Sequence, residues 1–286
     1  MQADLIYDVG MGNGDDTAYY LTRGFRVLAI DANPVAVEQA SRRFAPEIKA
    51  GRLSILNIGF CEKEGEVPFW VCDSVPEWSS FGEAIASREG AVCHQIQVFC
   101  RSFKSVLAEF GMPYYLKLDI EGREIFCLRD LIGSEELPQY VSFEQNRWSF
   151  EALPLLHKFG YTGFKLISQV NYLAVQYPPT KEERLHQRIH TLLRSRNPLL
   201  RIARKLGARH LLEAKVDRTR RRNGWKFPSG CSGPFAEETP GRWQDIDEIM
   251  STFRTAWDAS GAGEPSIFWG LENPGFWADF HAKREA

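Results

Sequence analysis

The residues best spaced for chemistry lie near the N-terminus: Asp8, Gly10, Gly12 and Gly14 alternate with Val9, Met11 and Asn13, followed by Asp15, Asp16 and Thr17. An apolar run, Leu5-Ile6-Tyr7, precedes them and a helical pattern follows. Glycines at such a strand-to-helix turn let the chain reverse tightly and let a ligand approach the backbone. Two phosphate-binding readings fail on spacing. A G-x-G-x-x-G loop needs glycine where Asp15 stands, and a phosphate loop needs Gly-Lys-Ser/Thr, which is absent. Two aspartates at a helix N-terminus also disfavour a pyrophosphate and suit a ligand with cationic groups. D-x-G-x-G-x-G in this setting is the pattern by which doubly wound enzymes hold S-adenosylmethionine. It nominates Asp8, Gly10, Gly12, Asn13, Gly14 and Thr17 as cofactor contacts.

Asp31 ends the second strand-like run, where a carboxylate accepts hydrogen bonds from both hydroxyls of a ribose. Ala32 and Asn33, which follow it, are expected to contact the cofactor as well. Asn57-Ile58-Gly59 ends the third run, so Gly59 is expected at the adenine edge. Asp119 ends a fourth run and Glu144 a fifth, beside the crevice where doubly wound sheets bind ligands. A carboxylate there can take a proton from a hydroxyl nucleophile. Two oxygen ligands on adjacent strand ends would equally suit Mg²⁺, and a third reading has Asp119 and Glu121 holding each other's loop through backbone N–H groups and Lys117. No metal ligand set is assigned.

The stretches Asp8-Val-Gly, Ile30-Asp-Ala-Asn-Pro34, Ser79-Ser80-Phe81 and Leu116-Lys-Leu-Asp-Ile-Glu-Gly-Arg-Glu124 together resemble the FkbM-type methyltransferases. Lys117, Asp119, Glu121, Gly122 and Glu124 match that family's Lys-x-Asp-x-Glu-Gly-x-Glu run position for position. Many relatives carry Glu-Pro where Asp31-Ala32 stands, which keeps a carboxylate. The resemblance covers about residues 4–170. It implies a Rossmann-like class I methyltransferase domain and S-adenosylmethionine as cofactor, with Lys117, Asp119 and Glu121 as catalytic candidates, to which Glu144 is added from its place at the end of the neighbouring strand. Neither Asp/Asn-Pro-Pro-Tyr/Phe, used by many amino-group methyltransferases, nor the Pro-Cys of cytosine-C5 enzymes occurs. An oxygen acceptor on a small molecule or glycan is therefore expected.

The elements that must position these residues read as alternating strands and helices. Strands are expected at 25–30, 53–58, 66–71, 95–99, 114–119, 140–144 and 163–168, and helices from 16, 34, 103, 121 and 150. Asn33-Pro34 supplies an N-cap and an N1 proline, and Ser102 and Gly111 bracket another helix. The alternation predicts an α/β fold with a doubly wound, mostly parallel sheet over residues 1–177. A basic helical insertion at 178–222 and a turn-rich C-terminal extension at 223–286 are expected to follow. With little chain ahead of the first strand, the segment 227–235 and the aromatic tail are expected to close the acceptor pocket. His281, in that tail, is a candidate base.

The 286 residues are 44% apolar and 25% charged, ordinary globular usage, which excludes bulk disorder. No apolar run is long enough to span a membrane, and Met1-Gln2-Ala3-Asp4 shows no secretory signal, so a cytoplasmic protein is expected. Six cysteines without a C-x-x-C pair argue against a zinc site or a disulfide framework. Residues 181–222 carry fourteen Lys/Arg against four Asp/Glu. Aromatic residues do not interleave with those arginines, so no nucleic-acid partner is expected. A non-catalytic nucleoside-binding protein that grips a partner through this stretch is the competing reading, and a nicotinamide oxidoreductase is disfavoured by the glycine spacing.

Overall fold

The computed structural model describes residues 1–169, 171–176, 180–182, 184–185, 188, 202, 214, 218–228, 230–259 and 277–285. Most of the 181–222 basic stretch, with His186, His190 and His210, lies outside them. In chain order the described elements are β1 (Gln2–Val9), α1 (Asp15–Thr22), β2 (Arg26–Asp31), α2 (Pro34–Arg43), α3 (Ala45–Lys49), β3 (Leu53–Asn57), β4 (Gly59–Phe60), β5 (Gly65–Cys72), α4 (Glu83–Ala86), β6 (Cys93–Arg101) and α5 (Phe103–Phe110). There follow β7 (Pro113–Leu118), α6 (Glu124–Asp130), β8 (Tyr140–Glu144), α7 (Ser149–Lys158), β9 (Tyr161–Ser168), β10 (Arg221–Arg222), β11 (Trp225–Lys226), α8 (Ile246–Ala259) and β12 (Ala278–Arg284).

The main sheet is mixed and mostly parallel, with seven strands in the order β3-β2-β1-β7-β8-β12-β9. β1 lies between β2 and β7 and is parallel to both. The chain winds one way to β3 and then returns to the other side of β1, which makes the carboxyl ends of β1 and β7 a topological switch point. Alternation on a parallel sheet covered on both faces gives near-continuous apolar strands, and residues 5–9 and 27–30 are buried throughout. Local chemistry sets the helices as expected. Asn33 Oδ1 accepts from Val35 N–H at 3.0 Å with Pro34 next, and Ser102 Oγ accepts from Ser105 N–H at 3.2 Å.

Three expectations change. The strands at 66–71 and 95–99 are not part of the main sheet. They are β5 and β6, antiparallel from Gly65↔Cys100 to Cys72↔Cys93, in a separate sheet ordered β4-β6-β5. Gly59 therefore lies in β4 of this second sheet, opposite Cys100, rather than at the end of β3. The helix expected from residue 121 begins at Glu124, because Glu121 (φ 53°) and Gly122 (φ 91°) adopt left-handed backbone.

The chain divides into two compact units, Met1–Thr162 with Ala282–Ala286, and Gly163–His281. In the first, Tyr20 packs edge-on against Tyr115 (centroids 5.7 Å apart), whose hydroxyl meets Ser142 Oγ at 2.6 Å. In the second, Phe253 meets Phe280 edge-on at 5.0 Å, and Tyr172 anchors the turn-rich segment by donating to the carbonyls of Pro228 and Cys231. No described helix is long and apolar enough to cross a membrane.

Candidate active site

The switch point is built on one buried lysine. Lys117, on β7, donates from Nζ to Asp8 Oδ1 at 2.9 Å and to the Gly10 carbonyl at 3.0 Å. Asp16 stands 3.6 Å and Asp119 3.8 Å from the same ammonium. Against a burial penalty, the charges of Asp8, Asp119 and Asp16 hold the ammonium well above the ordinary lysine range. Asp8 is fully buried, and its second oxygen accepts from the Thr17 hydroxyl at 2.5 Å. Asp8, Thr17 and Lys117 thus form a floor under the glycine turn, with their polar atoms engaged by one another.

The turn itself packs on β7. Gly10 N–H donates to the Ile30 carbonyl, and a Cβ at Gly10 would stand 1.8 Å from the Asp119 carbonyl oxygen, so only glycine fits (φ 79°). Gly12 differs: its φ is 53°, yet a Cβ there would meet nothing within 4 Å. Its N–H points at Asp31 Oδ2 (2.8 Å), and Asn33 N–H donates to Asp31 Oδ1 (2.8 Å). A carboxylate offers about four lone-pair positions, so Asp31 keeps acceptor capacity after these two bonds. Burial pushes its carboxyl up to about 6, opposed by the N–H groups of Asn33 and Gly12. Asn13 is exposed and its side chain accepts from Asp15 N–H, while Asp15 pairs with Arg43 at 2.7 Å. Gly14 is the N-cap of α1. The carbonyl of Ala32 accepts from Asn57 Nδ2, and Asn33 reaches Ser79 Oγ at 3.4 Å. The Phe81 ring packs directly on Gly59.

Opposite the glycine turn stand the carboxylates of the Lys117–Glu124 run, and they divide sharply. Glu124 is buried: Oε1 accepts from the N–H groups of Ile120 and Gly122, both at 3.1 Å, and Oε2 accepts from Asn146 Nδ2 at 3.0 Å. Burial lifts its carboxyl to about 7 against the pull of its own, Gly122's and Ile120's N–H groups. Glu121 is clamped by Arg88, whose two terminal nitrogens donate to its two oxygens at 3.1 and 3.3 Å. The Arg88 guanidinium in turn lies 4.4 Å over the Trp78 ring. Asp119 keeps a quarter of its side chain exposed, and burial raises its pKa against the Lys117 charge, with Asp8 adding to the rise.

Glu144 ends β8, and the register Leu118↔Phe143 places it level with Asp119 on the neighbouring strand. Among the described residues no group of three or more His, Cys, Asp or Glu is placed to hold a metal ion. His281 is fully buried in the second unit with both ring nitrogens lacking a hydrogen-bond partner, and burial with the Lys165 charge pushes it down to about 3.

Sequence reasoning missed Arg88 and Asn146. Arg88 belongs to the β5–β6 excursion, where it lies seven residues past the Ser79-Ser80-Phe81 stretch and outside any motif. Asn146 was within reach, since Asn two residues past a strand end caps a turn by bonding its own backbone, as its Oδ1 does to Trp148 N–H. The glycine turn, Asp31 and Asp119 fit a ligand with a ribose diol and a cationic centre. One ammonium faces the three carboxylates of Asp8, Asp16 and Asp119 at the switch point, a balance that repels phosphate.

The sequence model of the Methyltransferase FkbM domain matches residues 8–197. No curated protein matches the chain. Among solved structures, a methyltransferase FkbM from Methylobacillus flagellatus KT is 18% identical over 50% of this chain and 32% of its own, with a TM-score of 0.33. The chain thus spans about a third of that relative's length. A precorrin 8W decarboxylase from Methanobacterium thermoautotrophicum is 16% identical, covering 58% of this chain and 69% of its own at a TM-score of 0.35. The C-terminal domain of a precorrin-6Y C5,15-methyltransferase from Rhodobacter capsulatus is 13% identical, covering 58% and 67% at 0.36. With its domain matched from the buried Asp8 through the whole Lys117–Glu124 run, the chain belongs to the FkbM methyltransferase family.

Proposed function

We propose that the protein moves a methyl group from S-adenosylmethionine to a hydroxyl of a small molecule or sugar. The observation that carries this reading is the charge balance at the switch point. Lys117 is the cation at the centre of Asp8, Asp16 and Asp119, and its ammonium is already spent on Asp8 and the Gly10 carbonyl. Net negative charge in a partly desolvated crevice favours a sulfonium and opposes the phosphates of a nicotinamide dinucleotide or a nucleoside triphosphate. Bound there, S-adenosylmethionine supplies an electrophilic methyl group.

The chain's own residues then have distinct tasks. Asp31 binds the ribose diol with its remaining lone pairs, its orientation held by Gly12 and Asn33 N–H groups. Gly12 leaves open space beside that carboxylate. Asp8, Thr17 and Lys117 are positioning residues: they hold the turn and touch no substrate. Asp119 takes the proton of the acceptor hydroxyl, and its raised pKa makes it a stronger base than an ordinary aspartate. Glu144, level with Asp119, orients the acceptor. Glu121, committed to Arg88, sets the wall of the site rather than exchanging protons. In-line displacement at a methyl group depends chiefly on such positioning.

Calorimetry with S-adenosylhomocysteine, NAD⁺ and ATP side by side tests the reading. Binding of S-adenosylhomocysteine alone supports it, and binding of either phosphate ligand in its place overturns it.

A further inference from the structure

Outside this site, four of the six cysteines gather in the β4-β6-β5 sheet. Cys61 immediately follows β4, and Cys100 lies in β6, where it stands opposite Gly59 in parallel register. Their sulfurs are 2.7 Å apart. A disulfide bond is about 2.05 Å long, so joining them needs less than about 1 Å of movement. The Arg123 guanidinium lies 3.8 Å from Cys61 Sγ, and it is fixed there between the rings of Phe81 (5.0 Å) and Phe126 (5.4 Å). Cys61 is partly exposed and Cys100 is buried.

We propose that Cys61 and Cys100 form a reversible disulfide under peroxide, with Cys61 as the attacking thiolate and Cys100 as the resolving thiol. Cys61 is the one a small oxidant can reach, and a fixed cation beside a sulfur favours its thiolate. The hydrogen bond from Cys100 and the Arg123 charge together hold the Cys61 thiol below its usual range despite burial. The Cys61 thiolate attacks one peroxide oxygen, the O–O bond breaks, and hydroxide leaves to become water on protonation. This gives a sulfenic acid. The Cys100 sulfur then attacks Cys61 Sγ, forming the S–S bond as hydroxide departs and takes up the Cys100 proton. In sum two thiols and one hydrogen peroxide give a disulfide and two waters, and a dithiol reverses it.

Cys72 and Cys93 provide an internal comparison. They stand opposite each other in the β5–β6 register, but Cys72 is fully buried, and burial, with Glu83's charge adding to it, raises the Cys93 thiol. The test treats the reduced full-length protein with graded hydrogen peroxide, blocks remaining thiols with an alkylating reagent, and maps peptides by mass spectrometry. The expected first product is a peptide joining Cys61 to Cys100, lost on adding dithiothreitol. In Cys100→Ser, dimedone should label Cys61. In Arg123→Met, cross-linking should slow several-fold, because the fixed cation that favours the Cys61 thiolate is gone. Recovery of both cysteines as alkylated thiols, or a Cys72–Cys93 link forming first, overturns the proposal. The wild-type map alone decides this, whatever the variants' folding, and it does not depend on cofactor binding.

Discussion

The floor of the glycine turn and its rim use the same residue types for opposite ends. On the floor, Asp8 spends one oxygen on Lys117 and the other on Thr17 and is fully buried. On the rim, Asp31 is only partly buried and its two backbone bonds leave acceptor capacity unspent. Asp119 touches Lys117 at a looser 3.8 Å and keeps a quarter of its side chain exposed. The difference teaches that a carboxylate's place in a motif does not assign its task. Whether its lone pairs are consumed inside the protein does. Within the Lys117–Glu124 run alone, Lys117 and Glu124 are consumed inside the protein by this measure, Glu121 is committed to Arg88, and Asp119 is the carboxylate with a partly exposed side chain and only a loose ion pair, which suits the proposed role.

The largest expected effect breaks the floor. Lys117→Met leaves Asp8 and Asp16 buried without their cation, which should cost about 3–5 kcal/mol of stability in urea unfolding. A loss below about 1 kcal/mol would place Lys117 with the rim. Asp119→Asn should instead leave unfolding and S-adenosylhomocysteine affinity nearly unchanged while turnover falls about 10²–10⁴-fold, the range for removing a positioned base. If that variant unfolds, Asp119 belongs to the floor.

Asp31→Ala sharpens the rim, since under the proposed function it removes a charged acceptor from the ribose hydroxyls. Cofactor affinity should weaken by about 1.5–3 kcal/mol by calorimetry, and an unchanged dissociation constant removes Asp31 from that role. Gly12→Ala, with open space but left-handed backbone, should cost only about 1–2 kcal/mol of stability and weaken the cofactor more than it weakens the fold. The smallest effect concerns pH. Glu124 is lifted from 4.5 to about 7. Between those values the folded chain holds a proton the unfolded chain has released, so stability falls as pH rises through that window. Asp31, lifted to about 6, adds to the same slope, so Glu124→Gln should reduce rather than abolish it in unfolding measured from pH 4.5 to 7; an unaltered slope removes Glu124 from that role.

Much of the site was legible because its signals are local. The caps at Asn33 and Ser102 and the glycine turn depend on residues within a few positions of one another, and backbone geometry enforces them wherever they occur. The α/β class followed from the same kind of evidence, since strand and helix periodicities are read within a single window. The excursion into a second sheet was not legible, because β5 and β6 alternate like any other strands and only their partner tells which sheet they join.

By itself, then, the sequence determined the turn, the strand ends that carry Asp31, Asp119 and Glu144, and the run that marks the family. Tertiary structure alone decided which carboxylates are consumed inside the protein. Lys117 reaches Asp8 across 109 positions, and Arg88 reaches Glu121 across 33 from an unmarked loop. Ion pairs of this kind form only when the strands are brought side by side, and a buried charge accepts whichever partner packing delivers.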